Sequence, residues 1–282
     1  MTVPEPVTIP RREDGAAYGG HRLERILGYA PTSHQRIAAL VDDLNACSPN
    51  DGSIDHVAAY VDASLQTPVH ISEGITAIHV LWTASGQRAE VFAGHNPDSG
   101  TGLSGHEVQP GDTLTVPQRA HWAIGAGIVA FVFGTAPSQT TTDSEARSPC
   151  SLLHPPGHGL NLFDRFNRRT ICAAHEGLLL ERWKMSHTLE LPLNPARWHY
   201  VTNLVEPVAL GWPGGMVMLQ RTDSRFLPMG LERITIVPDG LGYVLIGSDP
   251  DLESDAVRPL RRAGYDRAAI ASLGVPSDLL EP

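Results

Sequence analysis

Between residues 33 and 46 the apolar positions Ile37, Leu40, Val41 and Leu44 recur at helical spacing behind Ser33, which predicts a capped helix. From about residue 68 the period changes to short β-rich runs: AIHVLWTA, AEVFAG, DTLTVP and GIVAFVFG. Clusters of Gly, Pro and Asn separate them, the pattern of hairpins in a sandwich or barrel. Residues 135–159, rich in Ser, Thr and Pro and without periodicity, read as a linker or long loop. A second β series follows: GLLLERWKM, HYVTNLVE, VALGW, GMVMLQ, RFLPMG, RITIVPDG and GYVLIGS, with one short helix predicted at DRAAIASLG. The pattern therefore predicts a mainly β chain of two similar units, residues 1–134 with a helical insertion and residues 160–282.

Composition narrows the chemistry. With 282 residues, 41% hydrophobic and 18% charged, the chain can bury a sizeable core in one large or two ordinary domains. A formal net charge of −10 argues against a broad surface for nucleic acid or acidic membranes, while leaving room for a local basic pocket. Lys184 is the only lysine, so any mechanism needing a lysine must use it. Cys47, Cys150 and Cys172 form no CxxC pair, which fits a reducing compartment and offers no zinc knuckle. The opening MTVPEPVTIPRREDG lacks the apolar run of a signal peptide, and no segment approaches membrane-spanning length; the expectation is a soluble, cytoplasmic protein.

The most informative stretch is PGDTLTVPQRAHWAIGAGIVAFVFG, residues 110–134: a Gly-Asp turn, a strand ended by proline, His121, then a glycine-rich return strand. It resembles the second half-motif of a cupin barrel and, more narrowly, the "GD…vPaGtvHAiGaG" passage of type I mannose-6-phosphate isomerases. AYGGHRLERILGY (17–29) resembles that family's "WGG-x-x-L…fG", SLQTPVHIS (64–72) its "LSVQVHP" segment, and GLNLFDRFNRR (159–169) its "yRlyDwgR" passage. The four stretches occur in the family's order. The resemblance implies a bicupin of two jelly-roll barrels, and a zinc-dependent isomerase that moves a proton between adjacent carbons of a phosphorylated hexose while the metal holds the sugar oxygens.

Carried over residue by residue, the family site is incomplete. His70 stands at the first family histidine, and His121 at the second, one residue closer to its proline than in the family pattern. Pro68 replaces the glutamine ligand, with Gln66 nearby. GKTE becomes GITA, so Ile75 and Ala77 replace its lysine and glutamate, and Asn161 replaces the arginine of "yRlyD". Side chains alternate along a strand, so if Ala77 faces the barrel interior His79 does too, about 6.6 Å further on. On that condition His70, His79 and His121 form a three-histidine set suited to zinc, iron, nickel or copper, with Glu73 or Gln66 as oxygen ligands after a register shift. The other reading makes His79 an ordinary interior histidine in a barrel without metal.

Arg119, Arg165 and Arg168, with Trp122, are the candidates for substrate binding, since guanidinium groups recognise phosphate or carboxylate and indole stacks on sugar rings. Arg169 belongs to the same FDRFNRR cluster. His95 and His106 flank a polar loop, Trp82 is a second stacking candidate, and His175, His187 and His199 lack cupin ligand spacing. Three functions remain open: a divergent metal-dependent enzyme acting on a sugar phosphate or similar polyhydroxylated or carbonyl substrate, a non-catalytic cupin that binds a small ligand as a sensor or assembly subunit, and a three-histidine metal cupin with oxygen chemistry.

Overall fold

The computed structural model describes residues 5–8, 35–36, 56–63, 65–67, 69–72, 74–84, 88–94, 103–135 and 154–281. In chain order the strands are β1 (Val7–Thr8), β2 (Gln35–Arg36), β3 (His56–Ala63), β4 (His70–Ile71), β5 (Thr76–Thr83), β6 (Glu90–Gly94), β7 (Ser104–Glu107), β8 (Thr113–Val116), β9 (His121–Ile124), β10 (Ile128–Thr135) and β11 (His154–Gly157). They continue as β12 (Leu160–Asp164), β13 (Asn167–His175), β14 (Leu178–Met185), β15 (Leu189–Pro192), β16 (His199–Asn203), β17 (Val208–Trp212), β18 (Gly215–Leu219), β19 (Ser224–Leu227), β20 (Arg233–Pro238) and β21 (Gly242–Ser248). Helix α1 (Arg258–Arg262), which follows a π-helical turn at Glu253–Val257, is succeeded by α2 (Arg267–Ala271) and a 3-10 turn at Ser277–Leu280.

The chain divides into an N-terminal barrel, residues 11–158, and a C-terminal barrel made of residues 1–10 with 159–282. In the first, β11-β8-β5-β10-β3-β2 form one sheet and β4-β9-β6-β7 the other. In the second, β1-β19-β16-β21-β14-β13-β12 face β15-β20-β17-β18. Strands β3 to β10 and β14 to β21 follow the same order across their two sheets, so each unit is one jelly roll, with extra strands added at the sheet edges.

Three sequence expectations change here. Gln35 and Arg36, inside the predicted helix 33–46, form a strand paired with Ala58 and Val57; the rest of that helix lies outside the described residues. The first residues leave the N-terminal unit, because Val7 and Thr8 pair with Phe226 and Arg225 of the C-terminal sheet. Within the proposed linker, residues 154–157 form β11 on the edge strand β8. The helix expected at DRAAIASLG is present: Asp266 caps it by accepting from Ala269 N at 2.8 Å, and Ile270 and Leu273 join the cluster packed under it.

Strand alternation decides what the N-terminal barrel encloses. Val61, Ala63, Ile78, Val80, Leu114, Val116, Ala130 and Val132 from the large sheet pack with Val91, Ala93, Trp122 and Ile124 from the small one. The opposite face of the large sheet carries Tyr60, Ala77, His79, Thr113, Phe131 and Phe133, also buried. A sheet buried on both faces explains why AIHVLWTA reads as a continuous apolar run instead of an alternating one.

Candidate functional site

His79 lies on the wrong face for the three-histidine arrangement. Its register partners are Thr113 and Phe131, and none of the three belongs to the enclosed cluster, whereas its neighbours Ile78 and Val80 do. The imidazole is 1% exposed and its Nδ1 shares a hydrogen bond of 2.8 Å with Thr113 Oγ1. Ala77 faces the same way, so the condition that would have brought His79 into the barrel is not met. Inside, at this level of β5, stand Thr76, bonded to Ser72, and Ile78.

His121 also lies off the expected face. Proline at 117 starts a turn in which Arg119 takes a φ of 63°, a conformation usually left to glycine. Strand β9 begins at His121, and alternation sends Trp122, not His121, to the interior. The shift of one residue seen in the sequence thus exchanges the two faces. Trp122 occupies the inward position and stacks on His70, its cross-strand partner, at 4.6 Å between ring centroids. His121 faces the other way with its Nδ1 buried and without a partner.

His70, His79 and His121 are therefore not brought together, and among the described residues no three His, Cys, Asp or Glu side chains are placed to hold one metal ion. The zinc set implied by the resemblance does not fit these residues. Glu73 and Pro68 lie outside the described residues, as does His95. Gln66 is exposed and lines a cleft of about 410 Å³ with Arg88, Glu90 and Phe92. Glu90 and Phe92 alternate with the enclosed Val91 and Ala93, so this cleft lies on the outer surface of the small sheet.

What the barrel does contain is a short polar row. His70, Trp122, Ala93 and Ser104 are cross-strand neighbours on the inner face of the small sheet, with His70 and Ser104 reaching solvent at its two ends. His106 pairs with the enclosed Val91 and shares that face. Burial holds its imidazole below the usual histidine range, so it is neutral near pH 7. Its Nε2 and the indole Nε1 of Trp122 are both buried without a hydrogen-bond partner. In the sequence His106 stood out only as a flank of the polar loop, and its alternation with the apolar Val108 in GHEV is the signal for an inward face.

The arginine candidates belong elsewhere. Arg119 is exposed, its N–H donating to Ser72 O at 2.7 Å. Arg165 and Arg168 sit on the β12–β13 hairpin of the C-terminal barrel, and Arg169 is consumed structurally. Its Nε donates to Glu181 Oε1 at 2.9 Å and its Nη2 to Glu181 and to Asp255 O. Asn161, at the family's arginine position, accepts from Thr170 and exchanges backbone bonds with the Tyr265 hydroxyl. His187 stacks on Phe166, while His199 is pushed down to about 4, first by burial. Trp82, partly buried on β5, lies outside that polar row.

No family model matches the chain, and no curated protein matches it. Solved structures do. The mannose 6-phosphate isomerase of Bacillus subtilis superposes with a TM-score of 0.60 at 13% identity, over 86% of this chain and 98% of that one. An oxalate decarboxylase of Bacillus subtilis gives 0.52 at 10% identity, over 83% and 80%, and tomato vicilin 0.52 at 11%, over 80% and 85%. At such identities the likeness shows the fold alone: the chain is a bicupin of two jelly rolls.

Proposed function

We propose that this bicupin binds a small, neutral, oxygen-rich molecule, polyhydroxylated or carbonyl-bearing, in its N-terminal barrel. Such binding needs no zinc ion held by His70, His79 or His121. The observation that carries it is the pair of buried, unpartnered groups on the inner face, Trp122 Nε1 and His106 Nε2. Buried polar groups of folded chains are nearly always paired, so such atoms ask for a partner from outside the chain. An indole N–H can only donate, and a neutral imidazole donates at one nitrogen and accepts at the other; hydroxyl and carbonyl groups complement both. The enclosed cluster is aliphatic apart from Trp122, which disfavours a charged group there and favours a sugar or sugar-like carbonyl compound over its phosphate.

Calorimetric titration of the metal-free chain with hexoses, their lactones and mannose 6-phosphate tests this. Binding of the neutral compounds, weakened about tenfold by Trp122→Phe, which removes one hydrogen bond and keeps most of the ring, is the expected result. Stoichiometric transition metal retained by untagged protein and lost in His70→Ala, with turnover of mannose 6-phosphate, would overturn it in favour of the isomerase.

A further inference from the structure

On the outer face of the C-terminal barrel, four strands place Phe163, Arg168, Lys184 and Tyr243 in one cross-strand row. Neighbouring strands lie ~4.8 Å apart, so the two cations are adjacent and an aromatic ring stands at each end. Arg182 follows on the same face, two residues before Lys184. Among the described residues no carboxylate pairs with Arg165, Arg168, Arg182 or Lys184. Arg168 Nε is buried and has no partner. In a chain of net charge −10 this is a local excess of positive charge that composition does not explain.

The two rings differ. Lys184 Nζ lies 5.5 Å from the Tyr243 ring centroid, a cation–π contact that steadies the ammonium. Phe163 is 76% exposed beside Arg168, an apolar ring presented to solvent at the outer strand of the sheet. A row of unneutralised like charges is unfavourable on its own, and a ligand carrying two or more negative charges relieves it. A planar ring on the same ligand would cover Phe163.

We propose that this row is a binding site for a nucleotide, with its phosphates on Arg168 and Lys184 and its base on Phe163. It is independent of the ligand in the N-terminal barrel. The short row suits one mononucleotide better than a long polyanion, which the acidic remainder of the chain repels.

The single lysine makes the test selective. The full chain is treated with an acetylating ester, and modification of Lys184 is followed by mass spectrometry, separately from the N-terminal amine. ADP is expected to slow acetylation of Lys184, pyrophosphate to do so about tenfold less effectively, and adenosine hardly at all. Phe163→Ser should reduce ADP to the level of pyrophosphate, and Arg168→Gln should abolish protection by both, with circular dichroism showing that each variant is folded. ADP no better than pyrophosphate, protection surviving Arg168→Gln, or none at millimolar ADP each overturns the proposal. So does a single-stranded oligonucleotide that protects at far lower concentration than ADP, which would assign the row to nucleic acid.

Discussion

Thr222 occupies in the C-terminal barrel the position that Gly111 occupies in the N-terminal one. Gln109 N donates to Asp112 Oδ2 at 2.9 Å, and Gln220 N to Asp223 Oδ2 at 2.8 Å, closing the same four-residue turn. Gly111 N bonds to Val80 O and Thr222 N to Asn203 O, with φ of 97° and 61°. Five residues after each aspartate comes a proline, Pro117 or Pro228, then a second positive φ, at Arg119 (63°) and Gly230 (93°). Each barrel thus keeps glycine at one of two equivalent turns and strains a larger residue at the other.

A β-branched residue is poorly suited to a left-handed backbone, and the Thr222 hydroxyl is also buried without a partner. Thr222→Gly is expected to stabilise the chain by about 1 kcal/mol, after subtracting glycine's greater freedom when unfolded. Gly111→Thr should cost at least as much. Urea denaturation of both variants measures the pair.

The Arg169–Glu181 pair is largely buried, and Trp183 Nε1 also donates to Glu181 at 3.1 Å. Arg169→Met leaves a carboxylate without its counter-charge and should destabilise by about 3–5 kcal/mol. Adding Glu181→Gln keeps an acceptor for Trp183 and should recover most of that loss. A double-mutant cycle in guanidinium chloride reads the coupling.

His199 gives the fold a dependence on acid. Its pKa is lowered to about 4 by burial, and by Arg197, against the opposing charge of Glu181. The unfolded chain takes up this proton near pH 6.5, the folded one only near 4. Stability therefore falls as pH drops through that window, by up to about 3 kcal/mol, and is unaffected above it. His106 and His154 are also lowered by burial and add to the slope. His199→Gln should flatten the curve of stability against pH without levelling it.

His79→Leu should cost about 1–3 kcal/mol, because it leaves the Thr113 hydroxyl without the imidazole it bonds. The metal content of the purified protein should not change. Elemental analysis beside a thermal melt separates the two effects, and a loss of bound metal would contradict the placement of His79 outside the barrel.

Much of the architecture was legible from patterning: the β runs of both units and the short helix at DRAAIASLG appear as expected. The N-terminal strand was not, since Val7–Thr8 is too short to carry a period and forms only because β19 offers an edge. The duplicated turn leaves little trace in the sequence, because only Gln, Asp and Pro persist between its copies. Thr222 and Arg119 stand where a reader of sequence looks for glycine.

The sequence by itself determined the alternation of each strand, and with it that Trp122 and His121 face opposite ways, as do His79 and Ile78. Alternation cannot say which of the two faces is inside when both are buried, because an apolar run carries no sign. Only the tertiary structure decided that: the second sheet packs against Ile78, Val80 and Trp122, leaving Ala77 and His79 on the far side and the indole of Trp122 over His70. The presence of histidines was a property of the chain, and their separation is a consequence of which face the small sheet covers.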